Sequence, residues 1–191
     1  LPAECMQEVG EKMKYHMLLR AAEFAARKHS RQRRKNADSD PYINHPLRVA
    51  LLLSEAEVED EEVLSAALLH DTIEDTETSA GELERAFSPR VRSLVEEVPD
   101  DKSLEKAERK RQQVAHAPGV SNEAALLKLA DKISNLEDIV SSPPEGWSLE
   151  RRREYIDWAD EVVSRLPKVN EELEKRYADV LRKAREGLGV S

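Results

Sequence analysis

One cysteine, Cys5, stands in 191 residues, which excludes a disulfide framework and a cysteine-based zinc site. No apolar run approaches membrane-spanning length, and no basic-then-apolar signal opens the chain. A cytoplasmic protein with no membrane partner is therefore expected. Period-two alternation of β-branched residues is missing throughout, so strands are not expected. Internal repeats and low-complexity linkers are missing too, and residues 1–191 read as one domain. An excess of positive charge is also lacking. The formal net charge of −9 disfavours indiscriminate nucleic-acid binding. No nucleophilic serine or cysteine stands out.

Hydrophobic residues make up 39% of the chain and charged residues 36%, enough for a core under a heavily ionised surface. The basic residues cluster in RQRRK (31–35) and KAERKR (106–111). Such local patches in an acidic chain suit a discrete anionic ligand, while any one run also fits a solvated helix face. RQRRK alone equally fits a nuclear-localisation or RNA-contact patch.

Nearly every segment has helical spacing. From about Met13 to His29, one stripe holds Met17, Leu18, Ala21, Ala22, Ala25 and Ala26. Turn formers and Pro41 break the pattern over residues 30–44, and Pro46 suits the start of the next helix. A helix follows from Asp60 to His70. Ser79 with Glu82 forms a capping box, and Ser88-Pro89 is a cap followed by proline. Ser103 reads as the cap of a charged helix through Ala115, and Ser121 as the cap of the run ALLKLADKISNLEDIV. Pro143, Pro144 and Gly146 interrupt before Ser148 opens another helix, and Pro167 separates it from an amphipathic helix over 168–186. The expectation is an all-α bundle of roughly eight to ten helices.

The decapeptide ALLHDTIEDT (67–76) concentrates the chemistry. Adjacent helical residues point about 100° apart, so His70 and Asp71 share one ion only where the helix ends or kinks between them. Asp71, Glu74 and Asp75 fall at i, i+3 and i+4, on one face of any helical continuation, and their mutual repulsion calls for a cation nearby. Read alone, HDTIED fits a solvated acidic turn as well as a metal site. Two further oddities shift the balance. His45 in PYINHP lies between a turn and a helix start, and Asp131 in LKLADKISNLED sits within an apolar helical stripe, where an unpartnered carboxylate is costly. One ion held by His45, His70, Asp71 and Asp131 explains all of these. Such a donor set suits Mn²⁺, Fe²⁺ or Zn²⁺.

PYINHP, ALLHDTIED and KLADKISN, in that order and spacing, resemble the HD-domain hydrolases of the RelA/SpoT type. RKHSRQRRK, LVEEVPDDKSLEKAERKRQQ and REYIDWADEVV resemble its animal branch in particular, and the likeness spans about residues 20 to 166. It implies an Mn²⁺-dependent enzyme that removes the 3′-pyrophosphate of ppGpp or pppGpp to leave GDP or GTP. It also implies that His45, His70, Asp71 and Asp131 are the metal ligands and that Glu74 and Asp75 are the catalytic acids. Arg34, Lys35, Lys106, Asn135 and Tyr155 would bind substrate. Removal of the 2′-phosphate of NADPH enters by the same likeness, and an idle nucleotide- or RNA-binding module is the reading from another class. One departure is Pro99, where bacterial relatives carry Thr: proline removes a backbone donor and any hydroxyl contact. A chain of this length leaves no room for the synthetase and regulatory domains of the long bacterial enzymes, so alarmone synthesis is not expected.

The remaining candidates have plainer readings. His16 and His29 read as surface or boundary residues of the first helix, and His116 as a cation at a helix end. Trp147 and Trp158 read as packing residues rather than base-stacking platforms. The last helix suits packing on its own domain or on a second subunit, which leaves room for a homo-oligomer.

Overall fold

The computed structural model describes residues 3–98 and 104–189, with side chains from residue 15 onward. Pro99 and Ser103 lie outside these residues. Ten α-helices and one short 3₁₀ turn form the described part. They are α1 (Ala3–Lys28), α2 (Asn44–Glu55), α3 (Glu61–Leu69), α4 (Thr72–Asp75), α5 (Ala80–Ala86) and α6 (Pro89–Glu97). After them come α7 (Lys106–His116), the 3₁₀ turn (Ala117–Gly119), α8 (Asn122–Ser141), α9 (Leu149–Arg165) and α10 (Glu171–Gly187). Among the described residues there is no β-strand, only isolated bridges of Arg33 with Pro41 and of Asn36 with Pro144. The fold is all-α, as the hydrophobic spacing implies.

Helix starts follow local chemistry. Ser79, Ser88, Ser121 and Ser148 each accept a hydrogen bond from the backbone N–H three residues on, satisfying a donor that the first turn leaves open. Helix α10 begins at Glu171, later than residue 168, because the Asn170 side chain accepts from Leu173 N and fixes the start there. On α1 the buried stripe runs through Ala21, Phe24 and Ala25, whereas Ala26 is exposed. Phe24 draws the helix round by packing edge-on against Phe87, ring centroids 5.5 Å apart.

Every residue of α3 from Val63 to Leu69 is buried, and this helix packs against α1, α2 and α6. Leu52 and Leu53 of α2 and Leu127 and Leu136 of α8 are fully buried. Each such side chain contributes about 1.5–3 kcal/mol by leaving water. Helix α8 packs against α2 on one side and α10 on another. Leu173, Tyr177, Val180 and Ala184 of α10 are buried at helical spacing, so the last helix covers its own domain. Arg176 of α10 reaches Glu55 of α2 (2.5 Å) and Glu137 of α8 (3.6 Å), and Arg48 meets the same Glu137 through two bonds of 2.8 Å.

Candidate active site

The central helix stops where the sequence required it to stop. Helix α3 ends at Leu69, His70 caps it, and Asp71 (φ −91°, ψ −3°) precedes the single turn α4. Thr72 terminates the helix by donating its hydroxyl to the Leu69 carbonyl (2.6 Å), which gives an open carbonyl a partner. The break turns His70 and Asp71 toward each other, with His70 Nε2 3.1 Å from Asp71 Oδ2.

The first residues of α2 and the middle of α8 complete the cluster. His45 Nε2 lies 3.1 Å from Asp131 Oδ1 and 3.7 Å from Asp71 Oδ2, and His70 Nε2 lies 3.9 Å from Asp131 Oδ1. One donor atom each from His45, His70 and Asp131 falls within 4.8 Å of the others. Each of the four groups is held from behind. His70 Nδ1–H donates to the Ala67 carbonyl (2.8 Å), and His45 Nδ1 hydrogen-bonds Ser134 Oγ (3.0 Å). Tyr42 donates its hydroxyl to Asp71 Oδ2 (2.7 Å). Lys132 Nζ and Asn135 Nδ2 donate to Asp131 Oδ2 (2.9 Å) and Oδ1 (2.6 Å). Such outer contacts fix the tautomer and aim of metal-binding groups.

Electrostatics at the convergence point favour a cation. Burial alone would make His70 less basic, but Asp71 and Asp131 push its pKa up to about 9. Burial would raise Asp71, yet the His70 and His45 imidazoles hold it well below the usual carboxylate range. Asp131 is likewise held low, against its burial, by Lys132 and His45. His70 Nδ1–H is taken by the Ala67 carbonyl, so in the neutral ring Nε2 presents its lone pair to the point where the Asp71 and Asp131 oxygens converge. Two imidazole nitrogens with carboxylate oxygens beside them fit a divalent ion, and they fit the borderline metals best. Tyr42→Phe removes the bond to Asp71, and isothermal titration should show metal affinity weakened about tenfold. An unchanged affinity would mean that Tyr42 merely packs.

Beside the cluster runs a cleft of about 590 Å³, whose lining includes His45, Asp75, Arg34, Lys35, Asn135 and Tyr155. The loop that carries the basic residues is pinned across it. Asn36 Nδ2 donates to Asp40 Oδ2 (2.7 Å) and Ser142 Oγ (2.9 Å), and Glu145 N donates to the Lys35 carbonyl (2.6 Å). Gly146 turns the chain at φ +73°, a conformation that side chains disfavour, and Trp147 follows it into the cleft wall. Arg34 donates to Asn135 Oδ1 (3.1 Å) and is ion-paired with Asp138.

The structure thus brings ten of the eleven candidate positions to the cluster, its adjacent turn or the cleft. Glu74 is half-buried on α4 but does not line the cleft, whereas Asp75 does. Lys106 lines an adjoining hollow of about 390 Å³ that shares Lys35, Trp147 and Tyr155 with the cleft. Sequence reasoning missed Tyr42, Ser134, Lys132 and Asp138. Asp138 had a usable signal, since 131, 135 and 138 share one helical face. His29 needs correcting: it is buried, only 2% exposed, not a surface or boundary residue. The loop that follows α1 folds back over it, and the ring of Tyr42 lies against its own at 4.9 Å.

Residues 21–159 match the HD-domain family. The chain belongs to that family. This HD-domain chain is 53% identical over 161 residues to the guanosine-3′,5′-bis(diphosphate) 3′-pyrophosphohydrolase MESH1 of Danio rerio, across 84% of this chain and 89% of that protein. It is 56% identical over 159 residues to the Homo sapiens protein of the same name, across 83% and 89%. With a TM-score of 0.85 and 47% identity it also matches a structure described as a metazoan orthologue of SpoT that hydrolyses ppGpp and plays a role in starvation responses. That match covers 90% of this chain and 96% of the other. Within the HD domains the chain therefore falls in the RelA/SpoT group. Among the described residues no helix is long and apolar enough to cross a membrane.

Proposed function

We infer that this chain is a divalent-metal-dependent hydrolase that removes the 3′-pyrophosphate of ppGpp or pppGpp, giving GDP or GTP and pyrophosphate. The observation that carries the reading is the buried convergence of His45, His70 and Asp131, with Asp71 alongside, at the edge of a cleft walled by Arg34, Lys35 and Asp75. Relatives more than half identical, matched over 89% of their length, bear that activity in their names.

In this reading His45, His70, Asp71 and Asp131 hold the ion. Mn²⁺ is our assignment, supported by the mixed imidazole and carboxylate donors, which would also suit Fe²⁺ or Zn²⁺. The ion supplies positive charge that acidifies water and offsets phosphate charge. Asp75, on the cleft wall one turn beyond Asp71, takes the proton of the attacking water, and Glu74 on the same turn assists. Arg34, Lys35 and Lys106 neutralise the charge that grows on the phosphates as the bond breaks. Asn135 and Tyr155 border the nucleoside. Asn135 also ties Arg34 to Asp131, so substrate and metal share one bracket. We assign the whole of residues 1–191 to one hydrolase domain.

A second reading, release of the 2′-phosphate of NADPH, draws support from the hollow that continues the cleft past Lys35 and Tyr155. The two substrates separate cleanly in one assay. With Mn²⁺ present, pyrophosphate should appear from ppGpp. If none appears at any metal concentration, the main reading is wrong. Inorganic phosphate from NADPH alone would establish the second, and binding without either product would make the chain an idle nucleotide module.

A further inference from the structure

His29 is the buried polar group to which the hydrolytic reading gives no task. It sits just beyond the end of α1 and does not line the cleft. Two chains of contact lead away from it. Its Nδ1–H donates to Gln32 Oε1, and the same amide donates through Nε2 to the backbone carbonyl of Asp75 (2.9 Å). Its ring also lies against that of Tyr42, tilted 33°, and the Tyr42 hydroxyl holds Asp71. Asp71 caps α4 and Asp75 ends it, and the bond from Asp75 N to the Asp71 carbonyl (2.8 Å) joins them.

We propose that His29 is a positioning residue for hydrolysis: through Gln32 and Tyr42 it orients the α4 turn and so aims Asp75. This rests on the reading of Asp75 as the proton acceptor.

Four residues form too short a helix to keep its shape unaided, so outside tethers decide where its carboxylates point. The Asp75 carbonyl accepts only from the Nε2 end of the Gln32 amide, which leaves Oε1 needing a donor on its other side to hold the amide in place. His29 supplies that donor. Packing does not explain the choice of residue. His29 Nε2 is buried and has no hydrogen-bond partner among the described residues, a defect that phenylalanine would avoid while keeping the ring against Tyr42. What histidine adds is the Nδ1–H alone.

His29→Phe keeps the ring and deletes that donor. It should lower kcat roughly tenfold, as expected of a misaimed catalytic group, with KM and bound metal unchanged. Amide exchange at Asp75 and Thr76 should quicken, a readout independent of turnover. Gln32→Leu cuts the same chain one link on and carries the test if His29→Phe does not fold. The double variant should be no slower than Gln32→Leu, since both changes break one tether. Full kcat in the folded variants, loss of metal, or additive losses in the double variant would each overturn the proposal. Asp75→Asn separates the two levels. If it retains turnover, the assignment of Asp75 fails and the proposal with it. If it abolishes turnover while His29→Phe and Gln32→Leu run normally, only the role of His29 fails.

Discussion

Glu74→Gln combined with Asp75→Asn is expected to lower kcat by roughly 10²–10⁴-fold while metal stoichiometry stays at the wild-type value. The two amides preserve size and most hydrogen bonding but cannot accept a proton at working pH. Asp75 lies on the cleft wall, whereas the cluster of converging donor atoms is made by His45, His70 and Asp131. On the proposed reading, the 67–76 stretch divides its roles, His70 and Asp71 toward the ion and Glu74 and Asp75 toward the chemistry. Metal analysis beside steady-state kinetics checks the division. Metal lost along with activity would make these acids ligands and reverse the assignment. The single variants should show which acid dominates, and the exposure of Asp75 to the cleft points to Asp75.

The second large effect concerns Asp131. Asp131→Ala should release the ion and stop turnover, and it should also destabilise the fold by about 3–5 kcal/mol. The destabilisation arises because Lys132 is buried, with its ammonium 2.9 Å from the Asp131 carboxylate and 4.8 Å over the Trp158 ring. Removing that carboxylate takes a directly bonded anion from a desolvated cation. The double change Asp131→Ala with Lys132→Met removes both charges and should recover most of the stability without recovering the metal. Chemical denaturation together with metal content distinguishes the two roles. A double variant still as unstable as the single one would show that the ion pair is not the source of the loss. Retained metal in Asp131→Ala would remove Asp131 from the ligand set.

Much of this was legible before any coordinates. Serine caps at 79, 88, 121 and 148 are local events decided within three residues, so the sequence reveals them. The helix break between His70 and Asp71 was legible for a different reason: only a break reconciles an adjacent His-Asp pair with a shared ion. Asp131 betrayed itself as a carboxylate in an apolar stripe. The groups that hold the candidate ligands were not legible, because each acts across the fold. Tyr42 meets Asp71, and Ser134 meets His45, only after α2, α4 and α8 have packed. His29 was misread for the same reason. A histidine at a helix end looks like a surface cation until a later loop closes over it.

Helix α8 carries Asp131, Ser134, Asn135 and Asp138 toward the cleft, while its other flank lies under α10. Glu137, one residue from Asp138, is gripped by Arg48 from α2 and by Arg176 from α10. A tilt of α8 that moved Asp131 would therefore unseat two helix interfaces and a bridged carboxylate together. The backbone amides in the middle of α8 should accordingly exchange with solvent only through events close to whole-domain opening. Placing the proposed catalytic carboxylates on a four-residue turn, and Asp131 on a helix clasped between α2 and α10, gives the site a soft edge and a hard back. Adjustment to an incoming nucleotide then falls to α4 and the basic loop rather than to α8.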